Sequence, residues 1–281
     1  MNPQAIDYKN IPVQADIISG IIRLDPEANN CFRDLDSFVR SDQGVATLVL
    51  RVVNSPLYSR GRQIATIPIA ISVLGFNVVR SLAMLAFSRS LFSKSRDPAF
   101  RLHIWQHSLL TAIAGRNICH ALGGGKEKDE AFIAGLMHDM GAVLMFTHDH
   151  DRYRQVMDLM QTQGVDTSAA EQQVFGFNRF DVGREAVSQW KLPARFADFM
   201  GADTAAAAGN LVADRVWRSL AAANCLIEGV GIGSVPIDDV AMRKAALLRY
   251  EIDETLCDEW LQPGYVDSLK EDDTYQLCAN L

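Results

Sequence analysis

Cysteine is scarce in this chain. Of 281 residues only Cys31, Cys119, Cys225, Cys257 and Cys278 are cysteine, odd in number and far apart, so neither a disulfide framework nor a CxxC zinc or redox site is indicated. Long apolar runs are missing too. No stretch reaches the roughly 18 residues of a membrane span, and the opening MNPQAIDYKN lacks the basic-then-apolar layout of a signal peptide. A cytoplasmic protein without a membrane partner is expected. There is no GxSxG, no Walker loop and no Cys/His nucleophile pair, which removes the commonest hydrolase and NTPase signatures. Alternating apolar and polar residues bounded by hairpin turns are absent as well, and no internal repeat is visible.

What remains is a helix-rich chain with 48% apolar residues, ample for a sizeable core in one large domain or two lobes. Ile17, Ile18, Ile21 and Ile22 form the stripe of a first helix that ends near Asp25-Pro26. Further helices are expected over about 31–41, 44–53, 67–74 (with Thr66 as N-cap and Pro68 in its first turn) and 77–92. Asp97-Pro98 then opens a long helix to about 122, ended by Gly123-Gly124-Gly125. Helices over about 127–146, 148–163, 168–175 and 180–191 follow, Pro193 starts a short one, and an alanine-rich helix is expected over 205–229 with Thr204 as its cap. The fold class is all-α, with a five-helix N-terminal lobe (1–95), a second helical lobe (96–237) and an acidic tail (238–281). The tail is expected to hold at least one amphipathic helix, with Val240, Ala241, Leu247 and Leu248 on its apolar face, and then acidic turns.

The net charge of -7 is unevenly spread. Residues 238–281 carry 11 acids against 4 bases, so the rest of the chain is neutral. Within that neutral part, 51–101 holds Arg51, Arg60, Arg62, Arg80, Arg89, Lys94, Arg96 and Arg101 against the single acid Asp97. This basic stretch is either a set of solvated helix faces or a surface for an anionic partner, and the acidic tail could fold over it.

Histidine carries the chemistry. His138-Asp139 sits within AFIAGLMHDMGAVLMF, read as the interior of an apolar helix. Burying an imidazole beside a carboxylate costs several kcal/mol unless the pair finds partners or a cation, on the order stated for buried polar groups. His107, on the preceding helix, is a natural partner. Together with one further carboxylate on a later helix these residues would form a cation site, while a hydrogen-bonded core pair without metal accounts for them equally well. His103 shares a helix face with His107 but lacks the Glu of HExxH, so it is not taken as a ligand. His148, Asp149, His150 and Asp151 repeat the HD letters at a helix start and are read as a solvated cap. Gly229-Val230-Gly231-Ile232-Gly233 imitates a dinucleotide loop but follows a helix, not a strand, and is set aside.

The stretch SDQGVATLVLRVVNSPLYSRGRQIATIPIAISVLGFNVVRSLA resembles the first lobe of HDOD domains, the HD-related output domains of bacterial signalling proteins. The matching positions are Asp42-Gln43, Leu50-Arg51, Asn54-Ser55, Tyr58, Ile64, Thr66, Ala70-Ile71, Leu74-Gly75 and Arg80. IWQHSLLTA, AFIAGLMHDMG and VGREAVSQWKLP are similar to the HD-derived second lobe, so the resemblance covers about 8–230. It implies an all-helical, two-lobed fold. In the metal-dependent HD phosphohydrolases related to this family, a His, the HD pair and a distant Asp hold the metal. His107, His138 and Asp139 keep three of those places. Asn224 stands at the fourth, Ala142 at the place of a Lys, and Arg179 at that of a further His.

A neutral amide and a nearby guanidinium both weaken divalent-ion binding. The expectation is therefore a non-catalytic signalling module that binds a signalling protein in trans or a small anionic ligand, such as a nucleotide, through Arg51, Asn54, Tyr58 and Arg80. DNA is not expected as a partner. No receiver or cyclase domain accompanies the helices, so input is expected in trans. The alternative is a phosphohydrolase in which His107, His138, Asp139 and Asn224 hold Mn, Fe, Ni or Zn.

Overall fold

The computed structural model describes residues 3, 6–8, 15–55, 58, 63–92, 97–201 and 213–279. The described residues are helices and connections with no strand. Five helices form the first lobe: α1 (Ala15–Arg23), α2 (Cys31–Ser41), α3 (Gln43–Val53), α4 (Ile67–Leu74) and α5 (Phe76–Phe92). Asp42 caps α3 by accepting from the Val45 amide at 2.9 Å. Thr66 occupies the cap position of α4, but its side chain makes no cap bond, contrary to expectation. Pro68 in the first turn, whose missing N–H needs no acceptor, leaves less for a cap to satisfy.

The second lobe begins with α6 (Pro98–Phe100), capped by Asp97, runs through a π-helical turn (Arg101–Gln106) and continues as α7 (His107–Ala121). The long helix expected here is therefore present but locally wider. Next come α8 (Glu127–Met137), α9 (Met140–His148), α10 (His150–Gln163), α11 (Thr167–Phe175), α12 (Arg179–Gln189) and α13 (Phe196–Phe199). A single helix over 127–146 is thus corrected to two, broken at His138-Asp139. Asp139 takes φ -103° and ψ 14°, outside the helical region. Both side chains of the pair point into a polar cluster.

Helix α14 (Arg215–Gly229) starts at Asp214, which accepts from the amides of Val216 and Trp217. The expected start near Thr204 lies outside the described residues. The tail is more ordered than expected, with α15 (Val240–Leu248), α16 (Glu254–Trp260), α17 (Tyr265–Ser268), a 3₁₀ turn (Leu269–Glu271) and α18 (Asp273–Ala279). The apolar face expected on α15 is corrected. Only its Leu247 edge is buried, while Val240 and Leu248 are 53% and 43% exposed. The tail's burial comes instead from Ile252, Cys257, Trp260, Val266 and Leu269.

One continuous apolar core joins all three parts, from Ile6 to Tyr275. Helix α7 lies at its centre, packed along α8 and α14, because Leu109, Leu110, Ala112, Ile113, Ala114 and Ile118 bury all of its faces rather than one stripe. Helix α5 packs on α8, and the Trp190 indole donates to the Tyr8 carbonyl at 2.9 Å while stacking edge-on against Phe87. Against the expectation that no stretch is long enough, α8 and α9 taken together (Glu127–His148) are long and apolar enough to cross a membrane, and 89% of the apolar window is buried inside the fold. The described cysteines, Cys31, Cys119, Cys225 and Cys257, are free.

Candidate functional site: a buried histidine, carboxylate and arginine cluster

The break after Met137 turns His138 and Asp139 toward the first turn of α7. His107 Nε2 lies 3.1 Å from His138 Nε2, and both face Asp139 Oδ2, at 3.5 and 3.7 Å. His138 Nε2 is also 3.2 Å from Asn224 Oδ1 on α14. The four residues expected as metal ligands are thus brought together, all buried, and His107, His138 and Asp139 lie within 4.8 Å of one another, close enough to hold a metal ion.

The tautomers follow from the outer nitrogens. His107 Nδ1 is 3.0 Å from the Ile232 carbonyl and His138 Nδ1 is 2.8 Å from the Gly135 carbonyl. A carbonyl can only accept, so each ring carries a proton on Nδ1 and turns its Nε2 into the cluster. Burial pushes His107 down to about 4, against the pull of Asp139, which fits a neutral ring. Two ring nitrogens and a carboxylate oxygen converging on one point form a setting for a cation.

Arg179 supplies positive charge there. Its Nη1 donates to Asp139 Oδ2 at 2.7 Å, its Nε to Glu171 Oε1 at 2.9 Å and its Nη2 to Tyr153 Oη at 3.2 Å. The Tyr153 hydroxyl donates to Glu171 Oε1 at 2.7 Å, and the Arg179 amide donates to Glu171 Oε2 at 2.8 Å. Arg179 itself is only 4% exposed. Burial alone would raise the Asp139 carboxyl, but Arg179 first, then His138 and His107, hold it well below the usual carboxylate range. Burial alone would likewise lower Arg179, and the two carboxylates reverse that. Glu171 is raised, chiefly by burial, in spite of Arg179. Gly141 makes this approach feasible, since a Cβ there would overlap the Arg179 carbonyl and push α12 away from α9.

The glycine loop set aside in the sequence belongs to this site. Ile232 fixes the His107 tautomer, Gly233 donates its amide to His103 Nδ1 at 3.2 Å, and the Thr167 hydroxyl donates to the Gly233 carbonyl at 3.0 Å. Gly233 sits at φ 94°, and a Cβ on it would collide with the His107 ring. The sequence did signal a loop of positive-φ glycines. Glu171 and Tyr153 were not foreseen, since one Glu in TSAAEQQVF carries no mark of which way it points. His148 and His150 lie apart from the cluster, and Asp149 caps α10 by accepting from the Arg152 amide.

The residues expected to bind a ligand on the first lobe are dispersed. Arg51 is exposed at the end of α3. Asn54 is a staple: its Nδ2 donates to the Leu50 and Ile64 carbonyls and its Oδ1 accepts from the Ile64 amide, each at 2.7 Å. Arg80 is half-buried, 5.8 Å from the Phe76 ring, and burial lowers it despite Asp129 and Glu130 nearby. Tyr58 lines a cavity between the lobes. Arg60 and Arg62 lie outside the described residues. The acidic tail meets the second lobe through Arg116–Asp272 at 2.7 Å and Arg218–Glu251 at 3.8 Å.

The HDOD domain family matches residues 11–205. No curated protein matches the chain. An HDOD domain protein of unknown function from Geobacter sulfurreducens is similar at 24% identity and TM-score 0.74, covering 95% of this chain and 94% of that one. A protein from Marinobacter aquaeolei, provisionally named for signal transduction, is similar at 21% identity and TM-score 0.74, covering 96% of this chain and 59% of that one. A provisionally named phosphohydrolase from Shewanella amazonensis is similar at 17% identity and TM-score 0.65, covering 95% and 96%. At these identities the likeness is one of fold.

Proposed function

The chain belongs to the HDOD family, and from that premise we propose that it is a non-catalytic signalling module in which Arg179 takes the place of a metal ion. The observation that carries this reading is the 2.7 Å bond from Arg179 Nη1 to Asp139 Oδ2, the oxygen a metal would need. At an effective dielectric of about 20, unit charges about 4 Å apart interact by ~4 kcal/mol, so a divalent ion beside the guanidinium meets roughly twice that in repulsion. The donor set is chemically right for Mn, Fe, Ni or Zn, but it does not fit such an ion while Arg179 stays in place. Asn224 supports the same reading. Its Oδ1 lies 3.2 Å from His138 Nε2, and a neutral amide there is a weaker ligand for a divalent ion than a carboxylate. His107, His138, Asp139 and Asn224 are 1%, 3%, 3% and 2% exposed, so a phosphate ester has no contact with them in this conformation.

Such a module acts through what it binds. Its input is a signalling protein or a small anionic ligand on the basic first lobe, where Arg51 is exposed. Charge reversal at Arg51, Arg60, Arg62 and Arg80 should then abolish capture of the partner, and intact capture would count against the first lobe as the docking face.

The second reading, a metal-dependent phosphohydrolase, is favoured by one observation, the convergence of three metal-binding atoms within 4.8 Å. Metal analysis of protein purified without chelator separates the two. The non-catalytic reading expects no stoichiometric Mn, Fe, Ni or Zn and no nucleotide hydrolysis with added Mn²⁺. A stoichiometric metal together with hydrolysis that is lost in His138→Ala would overturn it.

A further inference from the structure

A cavity of about 110 Å³ lies where the first lobe, the second lobe and the tail meet, and none of its lining residues belongs to the histidine cluster. Its apolar walls include Leu82 of α5 and Phe132 of α8, with the Tyr58 ring at one side. Its polar rim holds Arg116 of α7, Asp129 of α8 and Asp273 of α18. The Arg116 guanidinium already donates to Asp272 at 2.7 Å and lies 5.8 Å from the Phe132 ring centroid, so its charge is matched within the protein. Two lining carboxylates therefore stand against one guanidinium that is already paired. Burial raises the Asp129 carboxyl in spite of Lys128, Arg80 and Arg116, so positive charge entering the cavity is welcome there. A volume somewhat below the ~150 Å³ of a cavity that holds benzene limits an apolar occupant to about five carbons. Apolar walls with a few convergent polar groups make up the usual composition of a small-molecule site.

We propose that this cavity binds a small primary ammonium compound with a branched apolar body, the ammonium toward Asp129 and Asp273 and the body against Leu82 and Phe132. Two sources share that chemistry: a free alkylamine, and an apolar α-amino acid whose carboxylate would have to share Arg116 with Asp272. Because the walls come from all three parts of the chain, the ligand ties the tail to both lobes. That is a means of passing a metabolite signal to the surface of the module. The site shares no residue with the histidine cluster, so its failure would leave the non-catalytic reading of that cluster untouched.

The test uses the full chain, with isoamylamine, leucine and isocaproate as matched probes in calorimetry and saturation-transfer NMR. Isoamylamine, leucine or both should bind, and isocaproate should not. Binding by isoamylamine identifies an amine site, and binding by leucine alone identifies an amino-acid site. Asp129→Asn should weaken binding roughly tenfold, the loss of one charge-assisted hydrogen bond. Thr274→Trp, placed on the half-buried rim of the cavity, should block it. Both variants are checked by circular dichroism for an unchanged fold, and binding should slow amide exchange over residues 269–276. The proposal is overturned if neither ammonium compound binds, if isocaproate binds as tightly, or if both folded variants bind like the parent.

Discussion

Replacing Arg179 by methionine keeps most of the side-chain volume and removes the charge. Three donor contacts disappear with the guanidinium, to Asp139, Glu171 and Tyr153, while the backbone bond to Glu171 stays. Asp139 Oδ2 is then left facing the two histidine Nε2 atoms at 3.5 and 3.7 Å, and Glu171 keeps a single side-chain donor, Tyr153. Both carboxylates are buried, at 3% and 0% exposure. Breaking a buried ion pair from one side costs about 3–5 kcal/mol, and two acids depend on this arginine, so the upper end is expected. Urea unfolding followed by circular dichroism should show that loss as a lower midpoint with an unchanged slope. The same variant should gain what the parent lacks, a stability that rises with added Zn²⁺ or Ni²⁺. At a hundred times its dissociation constant, an ion that binds only the folded state returns about 2.7 kcal/mol. A loss under about 1 kcal/mol, the value of an exposed ion pair, would refute the role given to Arg179. So would a metal response of equal size in the parent.

Three further outcomes follow from the same geometry. Asp139 is held below its unfolded value, near 3.9, so its contribution is complete above that pH and is lost as the pH falls below it toward the folded value. Asp139→Asn should therefore flatten the acid limb of the stability curve below about pH 4, and an unchanged limb in urea titrations would show that the carboxylate is not the acid-sensitive group. Gly233→Ala must adopt positive φ and displace the His107 ring, so a loss of at least about 2 kcal/mol is expected, with faster amide exchange over 229–237. An unchanged melting curve would mean that the loop is not fixed on His107. Trp260→Ala removes a side chain that is 4% exposed and should cost about 3–5 kcal/mol in a single unfolding transition. A separate early transition for the tail would show that it does not share the core.

Some helix ends were legible where a side chain, a proline or a glycine marks them. Asp42, Asp97-Pro98, Asp149 and Gly75 all stand at boundaries, because orphan amides need an acceptor and positive φ needs glycine. The break at His138-Asp139 carried no such mark, with Met137 before it and Met140 after it continuing the apolar pattern. Asp214 was hidden by alanine on its N-terminal side, whose propensity reads as helix whatever the start. Within the site, His107, His138, Asp139 and Asn224 were readable as residue types at matching places. Arg179 was readable at the place of a further His, but its partners Glu171 and Tyr153 were not, since the three come from three helices and only packing brings them together. The glycine loop was seen, and its service as a clamp on two histidines depends on contacts more than 120 residues away.

The π-helical turn at Arg101–Gln106 has an evolutionary and an engineering consequence. A turn with i→i+5 bonding is what remains when one residue is inserted into an α-helix without breaking it. Removing one residue between Leu102 and Gln106 would restore α geometry and swing everything before it by about 100° around the axis. Asp97 would lose its 3.0 Å bond to Arg154, and His103 would turn away from the Gly233 amide, while His107 kept its partners. The turn therefore works as an adjustable joint in the chain's numbering, through which the connection to the first lobe can be re-aimed without touching the buried cluster.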